Sequence, residues 1–390
     1  MSTLGSNKDT MKLENRRQVL GLIRQGPRSR AGLAKETGLS QAAIGNIVGD
    51  FLEAGILQEI QKEPEETLPG RRPILLDLVP EWKTAVGISI DREGFEVGLL
   101  DLRGNMLGKT SVLSYCPQPQ TALDTIAQTV QTLLDEQGIS PESVLGVGAI
   151  APGPVDAAGG KILNPPRFEP WHGLALKEEL GQRLHHPVYI EHNASAMARA
   201  ELELGSPYRS FALILVNDGI GLGLALDGKI FTGSHGLGCE LGHTSIDFQG
   251  RPCSCGNRGC LELYASTGAI LYDARRVRPE LTTWESLVDA AWNGDGFCDG
   301  LLELQAEYLA ASVTNLNNLL ELEAIILGGA AAYRGKLLLD KLQHQTEQRL
   351  LSKNTRSLSF QLSRAKDHPS VRAAGAVALH QLFYGELFPF

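Results

Sequence analysis

The first part of the chain alternates between apolar helical patterns and short polar breaks. In "NRRQVLGLIRQG" the apolar residues recur at helical spacing until Gly26-Pro27, a pair that ends a helix. The next segment, "SRAGLAKETG", begins at Ser29, a residue type favoured as an N-cap, and runs to Gly38, which favours a C-terminal cap. The pattern therefore predicts two short helices joined by a tight connection.

A third helix is predicted from Ser40, a second N-cap candidate. Its apolar positions recur at i, i+3, i+4 and i+7 and define one buried face: Ile44, Ile47, Val48 and Phe51. The opposite face carries Gln41, Ala42, Gly45 and Asn46. Two strand-like runs, "ILQEIQK" and "RPILLDL", follow on either side of a polar stretch. Three helices and a hairpin predict a winged helix-turn-helix domain over residues 1–80.

The rest of the chain, residues 81–390, shows the same hydrophobic pattern twice. Residues 84–107 and 211–231 each form an apolar run, a polar glycine turn and a second apolar run, and helical and strand-like segments then alternate. This duplication predicts an α/β domain of two lobes, about 81–190 plus a C-terminal helix and about 191–375. Ligands of open α/β folds lie at the carboxyl ends of strands, which points to loops 151–156, 191–195 and 217–221.

Charge is distributed unevenly along the chain. The net charge is −9, but residues 1–37 hold eight basic and three acidic side chains, a net of +5, so the remainder carries −14. A basic head on an acidic body fits a nucleic-acid-binding module, with a solvated basic helix or a protein-docking module as alternatives. No apolar run reaches the roughly 18 residues of a membrane span, and the polar N-terminus lacks a signal core, so we expect a cytoplasmic protein without a membrane partner.

The third helix is the predicted DNA-reading element, because a helix fits the major groove and amide side chains read base edges. The candidate DNA contacts, including basic residues expected at phosphates or the minor groove, are Arg28, Ser29, Arg30, Ser40, Gln41, Ala42, Ala43, Asn46, Arg71 and Arg72. Two features weaken the prediction. No Arg or Lys lies between Ser40 and Glu53, and Gly45 costs the helix about 1 kcal/mol.

Half of the six cysteines fall in the short stretch "GHTSIDFQGRPCSCGNRGCLE". One imidazole and three thiolates form a closed tetrahedral zinc site of the structural type, whereas a catalytic zinc keeps an open position. We therefore expect one structural zinc per chain, and the alternative is a cysteine-rich loop without metal. The predicted ligands are His243, Cys253, Cys255 and Cys260.

The same stretch carries a family resemblance. Gly-His is followed by nine residues and then by Cys-x-Cys-Gly-x-x-Gly-Cys-x-Glu, from Gly242 to Glu262. This pattern resembles the zinc signature of the ROK family, which groups sugar-responsive repressors with sugar kinases, and the resemblance covers roughly residues 12–385. It implies an actin/hexokinase-like fold for the two-lobed domain, with the zinc loop holding side chains toward the interlobe cleft.

The resemblance also implies a set of sugar-binding residues. The side chains expected around the ligand are Asn193, Glu240, His243 and Glu262, with His192 in the same triplet as Asn193. Carboxylates and amides suit vicinal hydroxyls, since each makes two hydrogen bonds. Arg167, four residues before Trp171, replaces an asparagine of the family pattern. An arginine there hints at an anionic ligand, and the alternative is a surface charge.

Three departures from the family's kinases predict a protein without catalytic activity. The first phosphate turn, Asp-x-Gly-Gly-Thr in the kinases, reads Ser89-Ile90-Asp91-Arg92-Glu93 here. The second, Gly-Thr-Gly, reads Asn217-Asp218-Gly219. The catalytic aspartate is replaced by Asn193, which cannot accept the proton of a sugar hydroxyl, so His192 would be the remaining candidate base.

The sequence therefore predicts a transcriptional repressor of carbohydrate genes that binds operator DNA as a homodimer or a dimer of dimers and responds to a sugar. Two alternatives remain at this point. The chain could be an ATP-dependent sugar kinase with a regulatory head, or a repressor controlled by a protein partner. The pattern does not name the effector, the operator or the direction of the response.

Overall fold

The structure is a computed structural model of the 390-residue chain. It describes residues 8–61, 74–112, 118–234, 236–351, 357–365, 367–385 and 387–388. Within these ranges, no helix combines the length and the apolar character needed to cross a membrane.

The N-terminal part contains three helices and a small antiparallel sheet. Its elements are α1 (Lys8–Arg24), β1 (Arg28–Ser29), α2 (Arg30–Thr37), α3 (Gln41–Glu53), β2 (Leu57–Gln61) and β3 (Ile74–Leu78). The strands follow the order β1-β3-β2. The Ser29 side chain accepts a hydrogen bond from the first turn of α2, Ser40 does the same for α3, and Gly38 ends α2 in the left-handed conformation. The three helices and their caps are thus as predicted.

The first lobe is built on a five-stranded mixed sheet. Its elements are β4 (Thr84–Asp91), β5 (Gly94–Leu100), β6 (Met106–Val112), α4 (Pro119–Glu136), β7 (Val144–Ala151), β8 (Val155–Asp156), β9 (Lys161–Ile162), α5 (Leu176–Leu184) and β10 (Val188–His192). The sheet order is β10-β7-β4-β5-β6, with β4 antiparallel to β5 and parallel to β7. Apolar side chains of α4 and α5 pack on one face of this sheet and form its core.

The second lobe repeats this plan. Helix α6 (Asn193–Glu203) leads into β11 (Phe211–Val216), β12 (Ile220–Leu226), β13 (Lys229–Phe231), α7 (Glu262–Ala265), α8 (Thr267–Arg275), α9 (Trp284–Trp292), α10 (Gly296–Leu320), β14 (Ala324–Gly328), α11 (Lys336–Arg349) and β15 (Ser359–Leu362). The sheet order is β13-β12-β11-β14-β15, and α10 and α11 contribute to the core beside it. In both lobes a hairpin starts the sheet, as the duplicated sequence pattern predicts. The chain then returns to the first lobe, where α12 (Pro369–Tyr384) packs on β4 and β7, in agreement with the predicted C-terminal helix of that lobe.

Helices α6 and α12 lie between the two sheets and share an apolar core with them. Glycine permits their close approach. A Cβ at Gly148 of β7 would overlap the carbonyl oxygen of Ala374 in α12, and a Cβ at Gly223 of β12 would overlap that of Ala194 in α6. Both helices therefore pack backbone-to-backbone against a strand, one on each lobe.

Helix α12 also contacts the N-terminal part of the chain. Its second half contributes Ala378, Leu379, Leu382 and Phe383 to a core that contains buried side chains of α1, α3 and β3. One helix thus belongs both to the core between the lobes and to the core of the N-terminal part. Helix α12 therefore connects the core between the lobes to the N-terminal helices.

Candidate functional site

A cleft of about 530 Å³ opens between the two lobes. The three loops selected from strand ends all contribute to it, through Pro152 and Gly153, through His192 and Asn193, and through 217–221. Glu240, His243 and Glu262 line the same cleft from the second lobe. Five of the six ligand-binding residues predicted from the sequence therefore surround one cavity.

Asn193 and Glu262 are oriented by backbone amides. Asn193 Oδ1 accepts a hydrogen bond from Ala194 N at 2.7 Å, so its amide nitrogen, which has no partner among the described residues, is free to donate to a ligand. Glu262 Oε2 accepts from Ile220 N at 3.1 Å at the start of β12. Each side chain thus keeps hydrogen-bonding capacity for a polyhydroxylated molecule.

Burial shifts the pKa values of two other polar groups in the cleft, His192 and Glu240. Burial lowers the pKa of His192 to about 4, so the imidazole is neutral at neutral pH. Burial raises the pKa of Glu240; His243 opposes that rise and Glu262 adds to it. A neutral imidazole offers one donor and one acceptor, which suits a hydroxyl group better than a charged one.

The four residues predicted as metal ligands come together beside the cleft. The candidate donor atoms of His243, Cys253, Cys255 and Cys260 all lie within 4.8 Å of one another, and they could hold a metal ion. Cys255 Sγ and Cys260 Sγ are 3.7 Å apart, and His243 Nδ1 is 3.7 Å from Cys253 Sγ. His243 therefore turns Nδ1 to the thiols while the residue also lines the cleft.

Hydrogen bonds within the loop hold the segment that carries these four residues. Asn257 Nδ2 donates to the carbonyl oxygen of His243 at 3.0 Å, and Ser245 pairs with Cys260 as an isolated β-bridge. Cys260 is buried, and two residues later Glu262 begins α7 at the cleft wall. The position of the Glu262 carboxylate thus depends on the metal-ligand loop.

Two acidic turns also line the cleft. The turn between β4 and β5 places Asp91, Arg92 and Glu93 at the cleft. The guanidinium of Arg92 donates to the carbonyl oxygen of Pro166 at 2.8 and 3.3 Å, so it is already hydrogen-bonded within the protein. A phosphate placed here would meet two carboxylates.

The second turn, between β11 and β12, is held by internal hydrogen bonds. Asn217 Oδ1 accepts from Ala330 N at 2.7 Å, and the backbone of Asn217 bonds to Gly219 and to Thr267, each at 2.9 Å. Asp218 lies exposed at the tip of the turn. Asn217 therefore acts as a brace between β11 and the end of β14, with an acid beside it.

Arg167 lies at the mouth of the cleft and is exposed. Its backbone adopts φ 58°, and its guanidinium donates to the carbonyl oxygen of Asp218 at 3.1 Å. It is absent from the described lining of the large cleft and lines a small cavity beside Trp171. This arginine connects the rims of the two lobes, and its contact with a ligand stays a prediction.

The predicted DNA-contacting residues divide into two groups. On α3, Gln41, Ala42 and Asn46 are exposed and Ala43 is half-buried, as expected for the face opposite the apolar one. Ser29 and Ser40 cap helices. Arg28 pairs with Glu36 at 3.2 Å and Arg30 pairs with Glu59 at 2.8 Å. Arg71 and Arg72 lie outside the described residues.

Several cleft residues were not predicted from the sequence. Trp284 and Glu285 at the start of α9 line the cleft, as do Thr267 and Ala330. Trp284 Nε1 donates to the carbonyl oxygen of Ala330 at 3.0 Å. The pair Gly328-Gly329 marks the end of β14 in the sequence, so it could have indicated that Ala330 lies at another strand end facing the cleft. No periodicity marks Trp284, which reaches the cleft only through the fold.

Comparison with known proteins gives consistent results. The ROK family model matches residues 85–382. The chain is 28% identical to the xylose repressor of Caldicellulosiruptor bescii, over 91% of this chain and 92% of that protein. It is 28% identical to the DNA-binding transcriptional dual regulator NagC of Escherichia coli, over 86% and 85% of the respective chains.

Two solved structures share the fold. A ROK family transcriptional regulator, described as a homologue of the E. coli MLC protein, superposes with a TM-score of 0.83 at 26% identity over 97% of this chain and 98% of that one. A ROK family glucokinase from Streptomyces griseus, in complex with glucose and AMPPNP, superposes with a TM-score of 0.68 at 24% identity, over 75% of this chain and 98% of that one. The second likeness concerns the fold alone.

Proposed function

The chain belongs to the ROK family, and we propose that it is a DNA-binding transcriptional repressor of carbohydrate genes whose DNA affinity depends on a sugar bound between the lobes. The observation that carries this proposal is the contrast within one cleft. The Asn193 amide nitrogen remains available for a ligand, whereas the turns that carry Asp91, Glu93 and Asp218 line the cleft with acidic side chains. The cleft thus suits recognition of a sugar but not the transfer of a phosphoryl group to it.

The loss of catalysis follows from the same residues. Phosphoryl transfer needs a cradle for the phosphates and a base for the acceptor hydroxyl. Asp91 and Glu93 stand at one turn and Asp218 at the other, and Asn193 has no basic site at neutral pH. His192 is neutral, but a pKa of about 4 makes it a weak base. We therefore assign no catalytic residue.

Zinc fits the metal-ligand loop. With Zn–S bonds of about 2.3 Å, the edge of a tetrahedron of sulfur ligands is about 3.8 Å. The Cys255–Cys260 separation of 3.7 Å agrees with that value. Three thiolates and one imidazole close the coordination shell, which makes the ion structural. Zinc would fix His243 directly and Glu262 through α7. It would thereby shape the part of the cleft around Asn193, Glu240 and Glu262, which we call the sugar end.

The N-terminal domain, residues 1–80, would act as a winged helix-turn-helix that reads operator DNA with α3. The exposed Gln41 and Asn46 offer amides for base edges, and the small Ala42 and Gly45 permit close approach of the helix backbone. Lys12 and Lys35 are exposed cations without a carboxylate partner among the residues described. Their amines would serve the phosphate backbone.

Such a domain needs a second copy. Operators recognised by helix-turn-helix proteins contain two half-sites about one helical turn apart, so a homodimer or a dimer of dimers would present two α3 helices at that spacing. Sugar binding would change the closure of the lobes and, through α12, the placement of each domain. The protein would act in the cytoplasm, where its DNA lies.

DNA binding by the full-length protein tests this function. Fluorescence anisotropy with the DNA upstream of its own gene should show specific binding that weakens at least tenfold between 50 and 200 mM salt, because phosphate contacts release counterions. The absence of salt-sensitive binding would contradict the proposal.

A pair of variants tests which surface binds. Asn46→Ala should weaken specific binding by about 1–3 kcal/mol if the amide reads a base. Gln128→Ala removes an exposed amide from α4, on the first lobe, and should leave binding unchanged. Equal effects of the two substitutions would exclude α3 as the reading helix.

A further inference from the structure

The charge of the cleft limits the class of ligand that it can hold. Six carboxylates line it: Asp91, Glu93, Asp218, Glu240, Glu262 and Glu285. They come from both lobes, through the β4–β5 turn on the first and the other four residues on the second. Their combined charge disfavours an anion in this space.

The basic groups of the cleft do not compensate for these acids. Arg92 is the one arginine or lysine in the described lining, and its guanidinium is bound to the Pro166 carbonyl and lies 3.8 Å from Asp91. His192 is neutral because burial lowers its pKa. Arg167 is exposed at the rim and donates to the carbonyl oxygen of Asp218.

We propose that the effector is an uncharged sugar or an amino sugar, and that the cleft rejects sugar phosphates and nucleotides. This inference rests on the proposed function and names the ligand class of the same site. Six carboxylates and one engaged guanidinium favour neutral or cationic ligands, since hydroxyls donate to carboxylates and phosphates are repelled by them. This proposal differs from the anionic ligand that Arg167 suggests in the sequence, and that prediction stays untested.

A matched ligand panel tests the proposal directly. Thermal shift and calorimetry would compare D-xylose, D-glucose, D-glucosamine and N-acetyl-D-glucosamine with the 6-phosphates of the three hexoses and with AMPPNP. At least one uncharged or amino sugar should bind, and its phosphate should bind at least a hundredfold more weakly. Tighter binding of a phosphate, or binding of no sugar in the panel, overturns the proposal. If DNA binding persists in that case, the error lies in the ligand class and not in the DNA-binding role.

Charge removal provides the control. Glu93→Gln combined with Asp218→Asn removes two carboxylates from the acidic turns and should improve phosphate ester binding at least tenfold. Asp135→Asn combined with Glu136→Gln removes the same net charge from the exposed end of α4, outside the cleft. An equal gain in both double variants would assign the effect to overall charge and overturn the proposal.

A different observation concerns the route from the cleft to the N-terminal domain. Glu191, which precedes the cleft residue His192 on β10, is buried and forms a two-point ion pair with Arg199 of α6 at 2.9 and 3.0 Å. One turn further along α6, Glu203 pairs with Arg24, the last residue of α1, at 3.0 Å. Both partners of this second pair are nearly buried, with side chains 12% and 13% exposed.

This second pair joins three elements. The guanidinium of Arg24 also lies 4.3 Å from the centre of the Phe383 ring in α12. Glu203 Oε1 is buried without a hydrogen-bond partner, so Arg24 supplies the main compensation for this carboxylate. Displacement of α6 relative to α1 would separate this nearly buried ion pair and leave Arg199, one turn earlier on α6, as the remaining positive charge near Glu203.

We propose that Glu203 and Arg24 are positioning residues that couple the cleft to the DNA-binding domain. The inference depends on the proposed function. The ion pairs place α6 between the cleft strand β10 and the end of α1, so a ligand that shifts β10 acts on α1 through buried charges. A second ion pair, Arg103–Asp77, also joins the first lobe to the N-terminal domain, but it touches neither α6 nor β10.

The two ion pairs allow a matched test. Glu203→Gln should reduce the ratio of DNA dissociation constants with and without the bound sugar at least tenfold, whereas Asp77→Asn should keep that ratio. The charge-swapped double variant Arg24→Glu with Glu203→Arg should restore part of the ratio. An equal loss of ratio in Glu203→Gln and Asp77→Asn, or no loss in either, would overturn the coupling role. Retained DNA binding without any sugar response in the unaltered protein would instead contradict the proposed function.

Discussion

The two ends of the interlobe cleft are lined by similar residue types but are organised differently. At the sugar end, Asn193 and Glu262 each bond one backbone amide and keep polar atoms for a ligand. At the turn end, formed by the turns at 91–93 and 217–219, Asn217 Oδ1 accepts from Ala330 N and braces the turn, and acids stand at both turn tips. The two parts of the cleft thus differ in charge: carboxylates cluster at the turns, whereas Asn193 and Glu262 present one amide and one carboxylate.

The difference shows which features of a binding site separate recognition from catalysis. Recognition needs donors and acceptors at fixed positions, and the metal-ligand loop supplies that rigidity. Catalysis also needs a place for the phosphates, which acidic turns deny. In the proposed function, turn residues thus decide against phosphoryl transfer while the groups near Asn193 remain able to bind a sugar. Substitutions at one end of the cleft therefore test whether the other end responds.

The largest effect is expected from loss of the metal. Cys255→Ser should remove the ion and disorder the loop that orients His243 and Glu262, because a structural zinc site contributes roughly 10–16 kcal/mol of apparent binding free energy. Sugar affinity should fall at least a hundredfold, about 2.7 kcal/mol, while DNA binding without sugar persists. Elemental analysis and calorimetry measure both quantities.

Cys239→Ser is the matched control for the metal, since Cys239 lies outside the ligand set and contacts the carbonyl oxygen of Phe231. It should keep one zinc per chain and the sugar response. Zinc-free protein that still binds sugar with unchanged affinity would contradict the structural role of the ion.

The next effect is a pH dependence of stability caused by His192. Its pKa is about 4 in the folded protein and about 6.5 when unfolded, so the unfolded chain binds more protons between these values. Stability is therefore fully present above pH 6.5 and should fall by about 2–3 kcal/mol from pH 7.5 to pH 4.5 through this group. Urea unfolding at the two pH values measures it.

His192→Asn should reduce that loss by the same amount. His344→Asn, which replaces an exposed histidine of α11, should keep the full loss. If the two variants lose stability equally on acidification, the imidazole of His192 is not held neutral by the cleft.

A smaller effect is expected from a single carboxylate at the sugar end. Glu262→Gln should weaken sugar binding by about 2 kcal/mol, since a charge-assisted hydrogen bond to a hydroxyl is replaced by a neutral one. Glu285→Gln, which alters a carboxylate elsewhere in the cleft, should change binding of an uncharged sugar less than threefold. Calorimetry with the sugar identified in the panel decides between them, and a reversed order would contradict the assignment of the two ends.

The smallest effect is expected for Asn193→Asp, which should gain no kinase activity. Asn193→Asp places a carboxylate where the family resemblance puts the base of the kinases, and under the proposed function the acidic turns should still disfavour a nucleotide. Coupled ADP-release assays should therefore show no turnover above background. Turnover in this variant would mean that the turn end still accepts ATP.

The sequence predicted those parts of the site that depend on local spacing. The four metal ligands lie within 18 residues, and their pattern alone brought them together. The three cleft loops could be selected because each follows a strand whose carboxyl end must face the ligand. The helix caps at Ser29 and Ser40 were equally local, and all of these predictions are reflected in the geometry.

Features that join distant residues could not be predicted in this way. Arg24 and Glu203 are 179 positions apart, and nothing in either segment marks the other as its partner. Arg28 and Arg30 are candidate DNA contacts in the sequence. In the fold, Arg28 forms an ion pair with Glu36 and Arg30 forms one with Glu59. Helix α12 was expected only as a C-terminal addition, and its double role depends on glycines in strands more than 200 residues earlier.

The central claim is that a sugar bound in the cleft changes the DNA affinity of the N-terminal domain and that no phosphoryl transfer is needed for this change. The dissociation constant of the full-length protein for its operator, measured by anisotropy with and without saturating sugar and with no nucleotide present, tests this claim directly. The account predicts a change of at least tenfold, about 1.4 kcal/mol of coupling free energy. An unchanged dissociation constant with sugar demonstrably bound would contradict it.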